Sequence, residues 1–135
     1  LKLASAFRAA LIGVQTLIAA GAALAAEVEL RNTPFAYGDQ APDLTATCET
    51  IADWSKKAPS GDIRIDLAIE GALSEVTFDG VLAFLVMCRA PGMTVTCVTY
   101  STNGMAAGDV VRFGGGMQIA GPDRIILDPC LASRD

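Results

Sequence analysis

From Ile63 onward the chain alternates with a period of two. Ile63, Ile65, Leu67 and Ile69 face one way, and Arg64, Asp66, Ala68 and Glu70 the other. Such alternation predicts a half-buried strand. It runs on past Gly71 towards Val76 and Phe78, so a long first strand is expected, with Gly71 allowing a bend or bulge. Asp79-Gly80 is a hairpin turn signal. Val81 to Cys88 is almost wholly apolar, which predicts a second strand that is central or covered on both faces. Ala90-Pro91-Gly92 turns the chain into a third strand over Thr94 to Tyr100, β-branched and alternating. Asn103-Gly104 and Gly121-Pro122-Asp123 mark the next turns, with a fourth strand starting over Val110 to Phe113 and a fifth over Ile125 to Leu127.

Upstream the pattern changes. Leu44, Cys48, Ile51 and Trp54 or Ser55 recur at helical spacing behind Asp43, a candidate cap. Lys56 and Lys57 suit a helix C-terminus, and Ala58-Pro59-Ser60-Gly61 stops it. Residues 26–42, with Pro34, Gly38 and Pro42, carry little periodicity and read as an extended, loosely packed lead-in. Before them, Lys2 and Arg8 precede an uncharged run from Ala9 to Ala25 ending in Ala23-Leu24-Ala25. A basic start, an apolar stretch and a small-x-small site predict an export signal over 1–25, cleaved after Ala25. The organisation expected is therefore 1–25 signal peptide, 26–42 lead-in and 43–135 a single domain.

Composition adds a compartment and removes much chemistry. Loss of Lys2 and Arg8 with the signal takes the net charge from -5 to about -7. Cys48, Cys88, Cys97 and Cys130 all lie downstream of the signal, and an even count in a small exported domain reads as two disulfides. The expected location is periplasmic or secreted, with no stable membrane anchor once the signal is removed. With no His in the chain, Ser-His-Asp and Cys-His catalysis and histidine metal ligation are excluded. Without Cys-x-x-Cys there is no pattern for a zinc knuckle or a thiol redox site. Asp62, Asp66 and Glu70 fall on the polar side of one strand and read as a solvated face rather than a glycosidase pair. Gly114 to Gly116 does not fit the phosphate-cradling G-x-x-x-x-G-K-[ST] pattern. No catalytic residue, metal or cofactor is expected, and the acidic balance offers no electrostatic footprint for nucleic acid.

Order and motifs together resemble an OB-fold. Met105-Ala106-Ala107-Gly108-Asp109-Val110 leads into the fourth strand as many OB-folds do, with Gly108 making the tight turn and Asp109 capping it. Ile125-Ile126-Leu127-Asp128-Pro129-Cys130, with Cys97 in the third strand, is similar to the ending of secreted bacterial OB-fold proteins of the tRNA-anticodon-binding-like, OB-fold lipoprotein type. The resemblance covers roughly residues 44–132. It implies a mainly β fold, a five-stranded OB-fold-like Greek-key barrel preceded by one short helix. The chain departs from that type in lacking a lipid-attachment Cys and in having Cys48 and Cys88.

The resemblance also implies a disulfide pattern. OB-folds place the third strand beside the fifth, which would join Cys97 to Cys130 and leave Cys48 with Cys88. A turn centred at Pro91 sets Cys97 opposite about Leu85, which disfavours Cys88 with Cys97. Cys48 with Cys97 and Cys88 with Cys130 stays open.

Binding on the exposed face of the second and third strands is the usual role of an OB-fold. Candidate ligand-binding residues there are Phe84, Arg89, Tyr100 and Arg112, with core packing the expected role of Phe84 and Phe113. The reading is a disulfide-stabilised binding module for a protein, peptide or small envelope ligand. The alternatives are single-stranded nucleic-acid binding by the same face, or a structural accessory protein of the envelope. The charge of that face separates them: basic for nucleic acid, apolar for a protein partner.

Overall fold

The computed structural model describes Gly13 and residues 29–38, 40–89 and 91–134. The expected signal over 1–25 lies, Gly13 apart, outside the described residues. In chain order the elements are β1 (Phe35–Tyr37), β2 (Ala46–Thr47), α1 (Ile51–Ser55), β3 (Ile65–Phe78), β4 (Ala83–Met87), β5 (Thr94–Thr99), β6 (Val110–Gly121) and β7 (Arg124–Ser133).

The last five strands close into a barrel in the order β3-β4-β5-β7-β6 and back to β3. Every pairing is antiparallel except β5 with β7. This is a closed five-stranded barrel in a mainly β chain, the fold class expected above. The barrel closes because β3 serves two partners: residues 66–72 pair with β6, and residues 73–78 with β4. The irregularity that lets β3 change direction falls between Leu73 and Glu75, not at Gly71. Gly71 makes room for a disulfide instead, since a Cβ there would lie 3.0 Å from the Cys48 Sγ.

Inward positions follow the alternation. Leu67, Ile69, Leu85, Met87, Val95, Val111, Phe113, Ile125 and Leu127 are buried together. Turn chemistry matches the strands it joins. Gly80, Gly104 and Gly108 adopt positive φ, which a residue without Cβ accepts at no steric cost. Asp79 accepts the N–H groups of Val81 and Leu82 at 2.9 and 2.7 Å, and Asp109 accepts that of Ala106 at 2.9 Å.

Two elements depart from expectation. The lead-in is not loosely packed: β1 adds antiparallel to β3, and Phe35 and Ala36 are buried. Phe35 also meets Trp54 edge-on, ring centres 6.2 Å apart. The helix is one short turn and a half, not the segment from Asp43 to Lys57. Asp43 accepts the N–H of Asn32 instead of capping, and Leu44 is exposed. The residues between form β2, which pairs parallel with β3 at Ala46↔Ile69 and Thr47↔Glu70. The reason is tertiary: the first half of β3 has an edge that β4 does not cover, and β1 and β2 fill it.

Strand limits also shift in β3, β4, β6 and β7. Ile63 precedes β3 and Val81 precedes β4, both exposed, while β6 and β7 run well beyond the predicted starts. β4 is fully covered only inward. Ala83, Leu85 and Met87 are buried, whereas Phe84 and Val86 on the outer side are half-buried.

Both disulfides expected from the resemblance are present, Cys48–Cys88 with Cα atoms 5.1 Å apart and Cys97–Cys130 at 5.4 Å. Cys97 stands opposite Leu85, as the turn at Pro91 requires. The pair fits an oxidising compartment. No helix among the described residues is long and apolar enough to cross a membrane.

Candidate functional site

The four candidate residues occupy three separate places. Phe84 lies on the outer side of β4, beside Thr77 of β3 and Val98 of β5. Two residues along, Val86 stands between Glu75 and Thr96, and Thr96 stands beside Ile126 of β7. The outer surface over β4 and β5 is therefore Phe84, Val86, Thr94, Thr96 and Val98, with no charged side chain. Glu75, Arg124 and Asp128 stand at its margins. Phe84 is thus a surface residue, not the core residue expected, while Phe113 is fully buried. The strand is apolar on both sides because its outer side packs against neighbours on that same sheet surface.

Tyr100 and Arg112 come together elsewhere. They line a groove of about 620 Å³ on the outer side of β3, β6 and β7, with Leu131 and Pro129 on the Tyr100 side. Gln40, Ala41 and Pro42 line it from the lead-in. Its floor is set by ladder register: Ala68, Gly114 and Leu131 stand side by side across the three strands. Tyr100 is 81% exposed and Leu131 80%. The Arg64 guanidinium reaches Asp66 twice, at 2.7 and 3.0 Å. Arg112 stands opposite Glu70 in the ladder, yet among the described residues no ion pair or hydrogen bond holds its guanidinium.

Arg89 belongs to a third place, an open groove of about 880 Å³ beside the Cys48–Cys88 disulfide, shared with Glu49 and Glu70. Tyr100 and Arg112 do not line it. The sequence-level carboxylates also stay apart. Asp66 and Glu70 share one face of β3 but sit four residues apart, about 13 Å at the usual strand rise. Among the described residues no group of three His, Cys, Asp or Glu could hold a metal ion.

The carboxyls of Asp79 and Asp109 are held below the ordinary aspartate range. For Asp79 the chief cause is the Leu82 N–H, then that of Val81. For Asp109 it is the Ala106 N–H, then the Arg134 side chain, 3.0 Å away. Both serve turns at the barrel ends, not a reacting centre.

Sequence reasoning missed Leu131, Gly114 and the Gln40–Pro42 wall. Leu131 was within reach: with Cys130 turned inward by its disulfide, strand alternation turns Leu131 outward. The wall was not, since it depends on where the lead-in docks. No protein-family model matches this chain, and no curated protein is similar to it.

Proposed function

We propose that this chain is an exported, disulfide-stapled binding module of OB-fold type, and that the outer face of β4 and β5 takes a protein or peptide partner. The observation that carries this reading is the chemistry of that face. It presents Phe84, Val86 and Val98 with threonines between them, and no Lys or Arg. A nucleic-acid face needs cations for phosphates and stacked aromatics for bases, and here one half-buried phenylalanine stands alone. Protein interfaces instead centre on apolar and aromatic side chains with charge displaced to the rim, where Glu75, Arg124 and Asp128 stand. Export is supported by the signal-like start and by the two disulfides.

The test is site-specific photocrosslinking in the native envelope. A benzophenone amino acid at Phe84 is compared with one at the exposed Ile119, on β6, which pairs with neither β4 nor β5. A discrete adduct at position 84, absent at 119 and abolished by Val98→Glu, is the expected result. Oligonucleotide binding that weakens steeply with salt would overturn the reading in favour of nucleic acid. No adduct at either position would overturn it as well.

A further inference from the structure

The fold accounts for two glycines of the Gly114–Gly116 run and not for the third. At Gly115 a Cβ would run into the Pro129 carbonyl oxygen and lie 2.9 Å from the Cys130 Cα. At Gly116 it would meet the Asp128 carbonyl oxygen at 3.1 Å, and Gly116 sits where the β6–β7 register shifts. Gly114 has neither reason. A Cβ there would meet nothing within 4 Å, its φ is not positive, and its pairings with Ala68 and Leu131 are regular. Glycine inside a strand costs about 0.5–1 kcal/mol relative to alanine. Besides bulges and the tight bends of barrel corners, glycine in a strand marks sites where a ligand or another backbone approaches closely.

The surroundings of Gly114 say what approaches. It lies in the floor of the groove that Tyr100 and Leu131 line along one side, both largely exposed to solvent. Arg112 stands two residues away on the same side of β6, its charge unpaired among the described residues of an acidic chain. The neighbouring Arg64 is already engaged by Asp66. A bare peptide floor admits a flat ring, a tyrosine offers a face or edge to it, and a free guanidinium selects an anion. The volume, about 620 Å³, falls in the usual range for a small-molecule site, and walls stand on two sides.

We propose that this groove is a binding site for a small ring-bearing anion. Its flat apolar body lies on Gly114 against Leu131, with Tyr100 beyond Leu131 on the same side, and its carboxylate, sulfonate or phosphate faces Arg112. The groove adjoins the β4–β5 face at Tyr100, beside Val98, and the proposal does not rest on that face.

Anilinonaphthalene sulfonate is a suitable probe, with uncharged phenylnaphthylamine as its partner compound. Binding is followed by fluorescence and by amide shifts in two-dimensional NMR of the folded, oxidised protein. Saturable binding with shifts gathered at Gly114, Arg112 and Leu131 is expected. Gly114→Val, which fills the floor at an exposed strand position, should weaken it about tenfold or more. Arg112→Gln should weaken the sulfonate about tenfold and leave the uncharged compound unchanged, with the thermal midpoint retained. The Arg112 variant keeps the test open if Gly114→Val perturbs the fold. Shifts gathered on the β4–β5 face, an affinity indifferent to both variants, or no saturable binding would each overturn the proposal.

Discussion

At Gly115 a missing methyl group lets β6 lie against the Pro129–Cys130 backbone. Gly115→Ala should therefore cost about 1–3 kcal/mol, read as a lower midpoint in denaturant unfolding. Gly114→Ala, into open space, should be neutral or slightly stabilising. The two adjacent substitutions thus separate a packing glycine from one the fold does not need. Asp79 and Asp109 give a pH prediction. Their carboxyls lie below the ordinary aspartate value in the folded chain, so their contribution is complete above that value and is lost as pH falls through the folded one. The melting temperature should drop on acidification below about pH 4. In an Asp79→Asn/Asp109→Asn variant the acid limb, followed by calorimetry, should be shallower. The Gly108-Asp109 turn was readable from the sequence because the positive φ at Gly108 and the Ala106 N–H to Asp109 bond are local. The differing roles of three consecutive glycines were not, because each depends on a strand far along the chain.

Among the elements, the five barrel strands were legible and the small ones were not. Period-two alternation and the Asp79-Gly80, Asn103-Gly104 and Gly121-Pro122-Asp123 turns located β3 to β7. The helical spacing of Leu44, Cys48 and Ile51 misled because short helices depend on tertiary contacts more than on propensity. Here Cys48 is drawn to Cys88 and the residues before it to the edge of β3. The lead-in escaped notice because a strand of three residues has too little pattern to read. Its packing gives a direct check: Phe35→Ala should destabilise the domain by about 3–5 kcal/mol, as a core deletion does. A loose lead-in would leave the midpoint unmoved. The disulfides give another. Removing Cys97–Cys130 or Cys48–Cys88 by paired alanines should each cost about 2–4 kcal/mol. Intact mass should show alkylation of four thiols only after reduction.

For the whole molecule, closure governs behaviour. A barrel with every strand of its wall paired presents no long free edge to other chains, and β1 and β2 cover the part of β3 that β4 leaves open. The candidate surfaces lie on different sectors of that wall. Of their residues, the sequence pointed to Phe84, Tyr100 and Arg112, but which of them meet is decided by barrel order, so only Tyr100 and Arg112 share a groove. Binding by either surface should leave the wall itself unchanged, because the residues that face outward are not those that fill the interior.

The place of β7 between β5 and β6 has a consequence for assembly. It is the last strand among the described residues, yet it completes the wall on two sides and brings Cys130 to Cys97. Until it arrives, β5 and β6 are unpaired on the sides it will fill, and the interior stays wet. Such dependence on distant pairings slows folding. For a chain exported as proposed above, the Cys97–Cys130 staple that secures this closure forms only where the oxidant is.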